Sequence, residues 1–184
     1  MKNILIIGAT SSIAEKCARI WAREKNNLYL TGRNEKKLNE LETNLKLYEN
    51  QIVMSQIVDL NKINNYSILV NEIINRFKKI DIVLIAHGSL GNQKESELDI
   101  DKMMNEVNIN AISTISLLAI LANYFEKQKA GSIAVISSVA GEKGRAKNYI
   151  YGSSKAMVTT FLSGLRQRLS NKNISIITIK LGMV

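Results

Sequence analysis

The feature that most constrains the fold of this chain is a regular alternation of short apolar runs with longer segments that repeat their apolar residues at helical spacing. The apolar runs predict strands over 3–7, 27–31, 51–58, 80–85, 132–137 and 174–179. The segments between them predict helices over 12–24, 35–49, 62–77, 98–125 and 149–171. Such an alternation with short connections is typical of a doubly wound parallel sheet with right-handed crossovers. The predicted fold class is therefore α/β, with three layers in the order α/β/α.

Length and composition predict one domain and no metal centre. The 184 residues fit a single domain over 1–184, and 46% of them are hydrophobic, which argues against a disordered chain. Cys17 is the one cysteine and His87 the one histidine. An intrachain disulfide is therefore impossible, and neither a cysteine-based nor a multi-histidine metal site can form. This cysteine usage leads us to expect a reducing, cytoplasmic location.

The formal net charge of +9 raises three classes of partner: nucleic acid, an anionic membrane surface and phosphorylated small molecules. The lysines are scattered through the amphipathic segments, so we prefer a solvated basic surface with no specific nucleic-acid partner, and contact with a membrane surface stays open. The longest uncharged stretch, 107–125, is interrupted by Asn, Ser and Thr and predicts a buried helix instead of a transmembrane span. The first residues run directly into a strand, without a signal-peptide pattern.

Residues that directly follow a strand are the candidates for ligand binding, because ligands of such sheets bind at the carboxyl ends of the strands. After the first strand, a turn of small residues over 8–14 opens a helix. The backbone N–H groups and the helix dipole of such a turn can hold a pyrophosphate, which the small residues let approach closely. The alternative is an ordinary strand-to-helix turn. The candidate cofactor-binding residues here are Gly8, Thr10, Ser11, Ser12 and Ile13.

Arg33 follows the second strand, at a place where sites for NAD usually carry an Asp or Glu that binds the ribose 2′-hydroxyl. No acidic residue ends this strand, and an arginine suits the 2′-phosphate of NADP. The sequence therefore favours NADPH over NADH, with a solvated surface arginine as the alternative.

The ends of the third and fourth strands supply further candidates. Asp59 and Leu60 lie where an adenine ring would pass, although Asp59 can equally be the N-cap of the next helix. Ala86, His87 and Gly88 bring small residues beside the nucleotide. For His87 we prefer a structural role, as a loop histidine whose ring is satisfied by hydrogen bonds.

Ser138 follows the fifth strand, and the next helix carries Tyr151 and Lys155 on one face. A phenol ordinarily has a pKa of about 10, and we expect the nearby cation of Lys155 to lower the pKa of Tyr151. Such a tyrosine can supply the proton for the alkoxide that forms when a carbonyl accepts a hydride, and Ser138 can hydrogen-bond the same oxygen. A Tyr–Lys pair at this spacing also arises by chance, so the prediction depends on its position after the correct strand together with Gly8 and Ser138.

With these residues together, the sequence resembles a short-chain dehydrogenase/reductase over essentially its whole length. The resemblance implies a Rossmann-type sheet, a catalytic triad of Ser138, Tyr151 and Lys155, and contact of the latter two with the nicotinamide ribose. It matches Asn108 to the family's helix asparagine, which completes a proton relay through water. It also matches Gly182 to a Pro-Gly segment near the nicotinamide.

The chain departs from the family pattern at several places. Ser12 and Ala14 replace two glycines, Ala86-His87-Gly88 replaces Asn-Ala-Gly, and Leu181 stands in place of a proline. Members of the family continue beyond the position of Val184 with a substrate loop, a further helix and a seventh strand. The seventh strand is therefore expected to be absent, and the sequence reads as a fragment of a longer protein.

The stretches 8–14, 87–93 and 144–151 resemble one branch of the family, the decaprenylphosphoryl-2-keto-ribose reductases, which reduce a 2-keto sugar on a polyprenyl phosphate. The sequence thus favours an NADPH-dependent oxidoreductase that acts on a carbonyl or a secondary alcohol. One alternative is a 3-oxoacyl carrier-protein reductase. Another is a non-catalytic nucleotide-binding module with a basic surface, against which the complete triad argues.

The helices over 98–125 and 149–171 are unusually apolar for surface elements. In the family that the sequence resembles, the corresponding helices form a four-helix interface between subunits. A homodimer, or a tetramer built from such dimers, is the predicted assembly.

Overall fold

The computed structural model describes residues 1–49, 51–61 and 66–182. Its strands are all parallel and form one sheet in the order β3-β2-β1-β4-β5-β6. The strands are β1 Asn3–Ile7, β2 Asn27–Gly32, β3 Val53–Ile57, β4 Ile82–Ile85, β5 Gly131–Ser138 and β6 Ile174–Leu181. The strand order reverses between β1 and β4, and a doubly wound sheet opens its ligand crevice at this switch point. The predicted fold class is confirmed.

Helices cover both faces of the sheet. They are α1 Ser12–Arg23, α2 Glu35–Lys46, α3 Tyr66–Phe77, α4 Gln93–Leu98, α5 Ile100–Val107, α6 Ser113–Gln128 and α7 Tyr149–Leu169. A π-helical turn over Asn108–Ile112 joins α5 to α6, and a 3₁₀ turn over Val139–Gly141 follows β5.

The central strand β1 shows why the sheet needs cover on both faces. Ile4 and Ile6 pack in the layer that contains α1 and α2. Leu5 and Ile7 pack in the opposite layer with α3, α6 and α7. Successive side chains of a strand point to opposite faces, so an apolar run without alternation predicts a strand buried on both sides.

The predicted helix over 98–125 is divided in the structure. Gln93–Leu98 forms the separate helix α4, which the sequence pattern did not predict. Asp99 has extended backbone and caps α5, because its carboxylate accepts the Lys102 N–H at 3.1 Å. An apolar periodicity that continues on both sides of Asp99 hides this break from a reading of the sequence alone.

From Ile100 to Gln128 the chain is continuously helical, and by length and composition this segment passes as a candidate membrane span. Leu117, Leu121 and Phe125 are completely buried in the protein core. Because the core helix of a globular protein passes the same test, we assign the segment to the core, in agreement with the sequence-based expectation of a buried helix.

The remaining boundaries differ by a few residues. α1, α2 and α7 end at 23, 46 and 169, whereas the sequence predicts 24, 49 and 171. β3 and β4 begin later than predicted, and β6 extends two residues further to Leu181. Asp81 stands outside β4, where its carboxylate accepts the Asn3 N–H at 2.8 Å and pairs with Lys79 at 2.9 Å. The predicted helix start at 62 lies outside the described residues.

Candidate active site

A cleft of about 610 Å³ lies at the carboxyl ends of the strands beside the switch point. Its lining includes nine of the predicted cofactor residues, namely Gly8, Thr10, Ser11, Arg33, Asp59, Leu60, Ala86, His87 and Gly88. It also includes four residues that the sequence analysis missed, namely Gly32, Asn34, Asn61 and Ile109. The first three of these four adjoin predicted strand-end residues, so their position in the chain could have indicated them.

Gly8 is glycine for a reason that the sequence did not show. Its φ is +79°, and a Cβ at this position would stand 2.7 Å from the backbone nitrogen of His87. The N–H groups of Gly8 and Ala9 both donate to the Thr31 carbonyl, at 3.0 and 2.8 Å. The absent side chain therefore lets the turn after β1 pack directly against the segment after β4, and the two walls of the cleft meet there.

The turn leads into a capped helix. Ser11 is the N-cap of α1, and its hydroxyl oxygen accepts the Ala14 N–H at 3.3 Å. The N–H groups of Ser12 and Ile13 belong to the first turn and have no acceptor inside the helix. The side chains of these two residues do not line the cleft, and Ser12 instead faces a groove between α1 and α2. Their predicted contact with a pyrophosphate therefore concerns the backbone alone.

The charged residues at the ends of β2 and β3 are exposed. Arg33 forms no salt bridge in the described part of the chain, which leaves its guanidinium free to bind an anion. The Asp59 carboxylate accepts the Asn61 N–H at 3.0 Å, which forms an Asx turn after β3. Gly182 follows β6 and is exposed, and none of the described residues has an atom within 4 Å of the position of a Cβ there.

His87 is satisfied at only one of its two ring nitrogens. Nε2 lies 2.9 Å from the Ser113 hydroxyl, which itself donates to the Ile109 carbonyl at 2.8 Å, and 3.2 Å from the Thr114 hydroxyl. Nδ1 is buried without a partner in the described residues, and the expectation of a satisfied histidine is wrong for this atom. Burial, and then the positive charges of Lys155 and Arg33, lower the pKa of His87 to about 3. The imidazole is therefore neutral at physiological pH.

Two glycines bring α7 close to the end of β5. A Cβ at Gly152 would stand 2.6 Å from the Ala140 carbonyl oxygen, and one at Gly141 would stand 2.8 Å from the Ala156 nitrogen. Tyr151 is the neighbour of Gly152, so this close packing carries the tyrosine to the strand end. These glycines were not among the predicted site residues, although both flank the predicted catalytic residues.

Ser138, Tyr151 and Lys155 come together at this point. The Lys155 ammonium lies 5.6 Å from the centre of the Tyr151 ring, and it donates to the Ile136 carbonyl at 3.2 Å. The Ser138 hydroxyl oxygen accepts the Ala140 N–H at 3.1 Å and also lies 3.5 Å from the Leu181 carbonyl. The end of β5 therefore holds both Ser138 and Lys155 near Tyr151.

Asn108 opens the π-helical turn between α5 and α6. Its side-chain amide donates to Asn61 Oδ1 at 3.3 Å. Asn61 lies in the part of the cleft that follows β2 and β3, which we call the adenosine side because the adenine ring is expected there. Single π-helical turns within a longer helix occur frequently at functional sites. The sequence predicts the residue but not the local change in helix type.

Comparison with known proteins decides the family. The family model for short chain dehydrogenases matches residues 2–184. The chain belongs to the short chain dehydrogenase family. Among its relatives, an oxidoreductase of Staphylococcus epidermidis is 27% identical over 183 residues, which cover 100% of this chain and 78% of the relative. An oxidoreductase of Mycobacterium tuberculosis is 29% identical over 181 residues, which cover 98% of this chain and 72% of the relative.

A solved structure extends the comparison. A short chain dehydrogenase of Shigella flexneri, complexed with NADP, superimposes with a TM-score of 0.89 at 27% identity. The match covers 98% of this chain and 77% of that one. The family resemblance seen in the sequence is thus confirmed. The chain is an NAD(P)-dependent dehydrogenase or reductase, and this identification takes precedence over the non-catalytic module.

The acid–base groups of this short chain dehydrogenase differ from the sequence-based expectation. Burial raises the pKa of Tyr151, and its hydrogen bond with Ser138 only partly opposes this effect. The shift is opposite to the predicted lowering by Lys155, because the cost of burying the phenolate is the largest contribution at Tyr151. Lys155 is itself 4% exposed, and burial lowers its pKa to about 8. The tyrosine therefore remains a protonated phenol at neutral pH, which is the form that a proton donor requires.

The cleft residues fit an NAD(P) dinucleotide. The N–H groups at the start of α1 suit a pyrophosphate. The guanidinium of Arg33, which has no salt bridge within residues 1–49, 51–61 and 66–182, lies at the end of β2, where the adenosine ribose is bound in dinucleotide-binding sheets. When it is bound, the dinucleotide supplies or accepts the hydride, which is chemistry that no side chain provides.

Proposed function

We propose that the chain is an NADPH-dependent reductase, or the reverse dehydrogenase, that exchanges a hydride with a carbonyl or a secondary alcohol. The observation that carries this proposal is the convergence of Ser138, Tyr151 and Lys155 beside the cleft, at the carboxyl end of β5. Each of the three is held by backbone packing or a hydrogen bond, so the arrangement exists before a substrate arrives.

The proposed roles follow from the contacts. Tyr151 donates its phenolic proton to the developing alkoxide, and the Ser138 hydroxyl hydrogen-bonds the same oxygen. Lys155, whose ammonium lies 5.6 Å from the centre of the Tyr151 ring, contacts the nicotinamide ribose together with Tyr151. Asn108 is the candidate for the water-linked proton relay, at the turn where the helix changes type.

The proposed cofactor is NADPH in preference to NADH. Arg33 is exposed, unpaired in the described residues and lines the cleft, so its guanidinium can form charge-assisted hydrogen bonds with a 2′-phosphate. The Shigella flexneri relative, described as an NADP complex, supports this preference. The other proposed cofactor contacts are made by Gly8, Thr10, Ser11, Ser12, Ile13, Asp59, Leu60, Ala86, His87, Gly88 and Gly182.

The proposed substrate is a keto sugar linked to a polyprenyl phosphate. Lys143, Arg145 and Lys147 are exposed on the segment that joins the 3₁₀ turn to α7, four residues before Tyr151 at their nearest. None of them pairs with a carboxylate in the described residues, so this segment favours a substrate with an anionic group. A 3-oxoacyl carrier-protein substrate is the alternative, since carrier proteins present a phosphate too.

Thermal melting tests the cofactor proposal first. We expect NADPH to raise the melting temperature more than NADH at the same concentration, because the stabilisation by a bound ligand grows with the ratio of its concentration to its dissociation constant and reaches about 2.7 kcal/mol at a hundredfold ratio. Equal shifts would contradict the role given to Arg33. A cooperative melt that neither cofactor shifts would contradict the cleft as a nucleotide site.

A competition assay tests the substrate proposal. Oxidation of NADPH would be followed with a polyprenyl-phosphate keto sugar and with a 3-oxoacyl carrier protein, separately and together. We expect the keto sugar to be consumed first. Preference for the 3-oxoacyl compound would replace the proposed substrate with the alternative.

The proposed assembly is a homodimer or tetramer in the cytoplasm. Leu98, Ile100, Met104 and Met157 are large apolar side chains that stay at least 41% exposed on α4, α5 and α7. Exposed apolar patches of this kind mark interaction surfaces. Light scattering at micromolar concentration tests the assembly, and a monomer would count against it.

A further inference from the structure

A carboxylate that the sequence analysis did not select holds the loop after β4. Glu106 lies in the last turn of α5 and is half-buried. Its Oε2 accepts the Gly91 N–H at 3.2 Å, and its Oε1 accepts the Ser89 hydroxyl at 3.2 Å. One side chain therefore fixes both the backbone and a side chain of the loop.

Asn110 extends this network into the π-helical turn. It is completely buried, and its Oδ1 accepts the Ser89 N–H at 2.9 Å. Its Nδ2 donates to Glu106 Oε2 at 3.1 Å and to the Glu106 carbonyl at 3.1 Å. Every polar atom of the Asn110 amide is thus occupied by Ser89 or Glu106, and the pair acts as a single clamp on the loop.

The loop is closely packed at both of its glycines. A Cβ at Gly88 would stand 2.9 Å from Asn110 Oδ1 and 3.4 Å from Lys155 Nζ. A Cβ at Gly91 would overlap the Glu106 carboxylate. The loop between these two glycines is therefore packed between the clamp and the lysine ammonium.

The same loop faces the tyrosine. Gly91, Glu106 and Tyr151 share the wall of a small pocket. Tyr151 and Lys155 are fixed on one side by the packing of α7 against the end of β5. The 88–91 loop borders the same two groups, because a Cβ at Gly88 would stand 3.4 Å from Lys155 Nζ and Gly91 lines a pocket together with Tyr151.

We propose that Glu106 is a positioning residue for the hydride-transfer reaction, acting through Asn110 and the 88–91 loop to set the distance between this loop and the Tyr151–Lys155 pair. The inference rests on the proposed function for its activity readout. Replacement of Glu106 should lower kcat more than cofactor affinity. The reacting groups tolerate little misplacement, whereas the adenosine side of the cleft is formed by other elements.

The test compares E106A with E106Q and with E40A, in which an exposed α2 carboxylate far from the loop is removed. Turnover would be measured with NADPH and an aromatic ortho-quinone as the carbonyl probe. We expect E106A to lose about tenfold or more in kcat with a cofactor dissociation constant within about threefold of the wild type. E106Q should stay within about threefold in kcat, because its amide oxygen accepts the same N–H groups and its NH₂ can donate to Ser89. E40A should match the wild type.

Hydrogen exchange gives a readout that does not need turnover. We expect the Gly91 amide to exchange at least about tenfold faster in E106A and at nearly the wild-type rate in E106Q, because exchange reports the opening of its hydrogen bond. Unchanged Gly91 exchange in E106A would overturn the clamp. Faster exchange with wild-type kcat would overturn the positioning role.

A second variant covers the case in which E106A does not fold. N110D keeps the acceptor for Ser89 but places a carboxylate against Glu106, so it should separate the pair and reduce kcat as E106A does. Wild-type kcat in N110D would overturn the proposal. If the wild-type chain reduces no carbonyl, the proposed function is wrong, and the exchange rates still test the clamp.

Discussion

The two halves of the cleft differ in the solvent exposure of their charged residues. On the adenosine side, Arg33 and Asp59 are exposed, and no salt bridge in the described residues involves either of them. On the catalytic side, Lys155 is 4% exposed and Asn110 is completely buried with all its amide atoms bonded. Exposed charge remains hydrated until a ligand arrives, so it can select an anion at little cost to folding. Buried charge has already lost its water, so it fixes geometry and lowers stability.

The difference assigns separate tasks to the two halves. The adenosine side recognises by electrostatic attraction and tolerates movement of long side chains. The catalytic side depends on the exact approach of α7 to β5, which Gly141 and Gly152 permit. Substitutions on the catalytic side should therefore change rates and stability, and those on the adenosine side should change affinity.

The largest effect is expected on the catalytic side for Tyr151→Phe. Loss of the phenolic proton should reduce kcat by about 10³-fold, within the range for removal of a general acid, while NADPH binding stays within about threefold. Single-turnover oxidation of NADPH and the cofactor-induced rise in melting temperature measure the two quantities. A variant that retains turnover would remove Tyr151 from the reaction.

Lys155→Met tests the cost of the buried cation. The difference between the ordinary pKa of lysine and about 8 corresponds to about 3 kcal/mol, so the free energy of unfolding at neutral pH should rise by up to this amount, although activity is lost. Denaturant unfolding followed by the fluorescence of Trp21, the one tryptophan, measures the change.

The pH dependence of stability shows whether Lys155 has a lowered pKa in the folded protein. Between pH 8 and 10.5 the unfolded wild-type chain binds more protons at Lys155 than the folded one, so the stability contributed by this site rises with pH through that window. The free energy of unfolding of the wild type should therefore rise relative to that of Lys155→Met. Both proteins contain the same tyrosines, so the tyrosine contribution cancels in the difference between the two curves. Parallel curves for the two proteins would mean that Lys155 is charged without cost in the folded state.

Arg33→Ala sharpens the comparison from the adenosine side. Removal of charge-assisted hydrogen bonds to a 2′-phosphate should weaken NADPH binding by about 2 kcal/mol, or roughly thirtyfold, and leave NADH binding unchanged. Calorimetric titration measures both affinities. Arg23→Ala is the matched control, since Arg23 is exposed at the far end of α1 and contacts Tyr48. If both variants bound NADPH equally weakly, the lost affinity would be an effect of net charge and not of a contact made by Arg33.

The fold was predictable because the signal for it is local. Ile4, Leu5, Ile6 and Ile7 are all buried, and a strand covered on both faces shows in the sequence as an unbroken apolar run. The break at Asp99 was not predicted, because Leu98 and Ile100 continue the apolar pattern although both are largely exposed. Periodicity alone does not separate a buried stripe from an exposed apolar surface.

The candidate site was predictable only in part. The carboxyl ends of parallel strands meet at one edge of the sheet, so residues such as Gly8, Arg33 and Ser138 can be selected without a structure. Glu106 was missed because its partners Ser89 and Gly91 lie 17 and 15 residues away and meet it only through tertiary packing. The direction of the pKa shift at Tyr151 was wrong because the balance between burial and a neighbouring charge depends on depth, which the sequence does not show.

The smallest effect is expected for the exposed pair of Glu15 and Arg19 on α1. Their side chains are 41% and 35% exposed and meet at 2.7 Å, one helical turn apart with the acid towards the N-terminus. Arg19→Ala should lower the free energy of unfolding by about 0.4 kcal/mol at low salt and by less at high salt. Denaturant unfolding at two salt concentrations measures this, with the exposed Lys16→Ala on the same helix as the control for lost charge. If Arg19→Ala changed the free energy of unfolding as much as Lys155→Met does, exposed charge would matter as much to folding as buried charge. The distinction drawn between the two halves of the cleft would then be wrong.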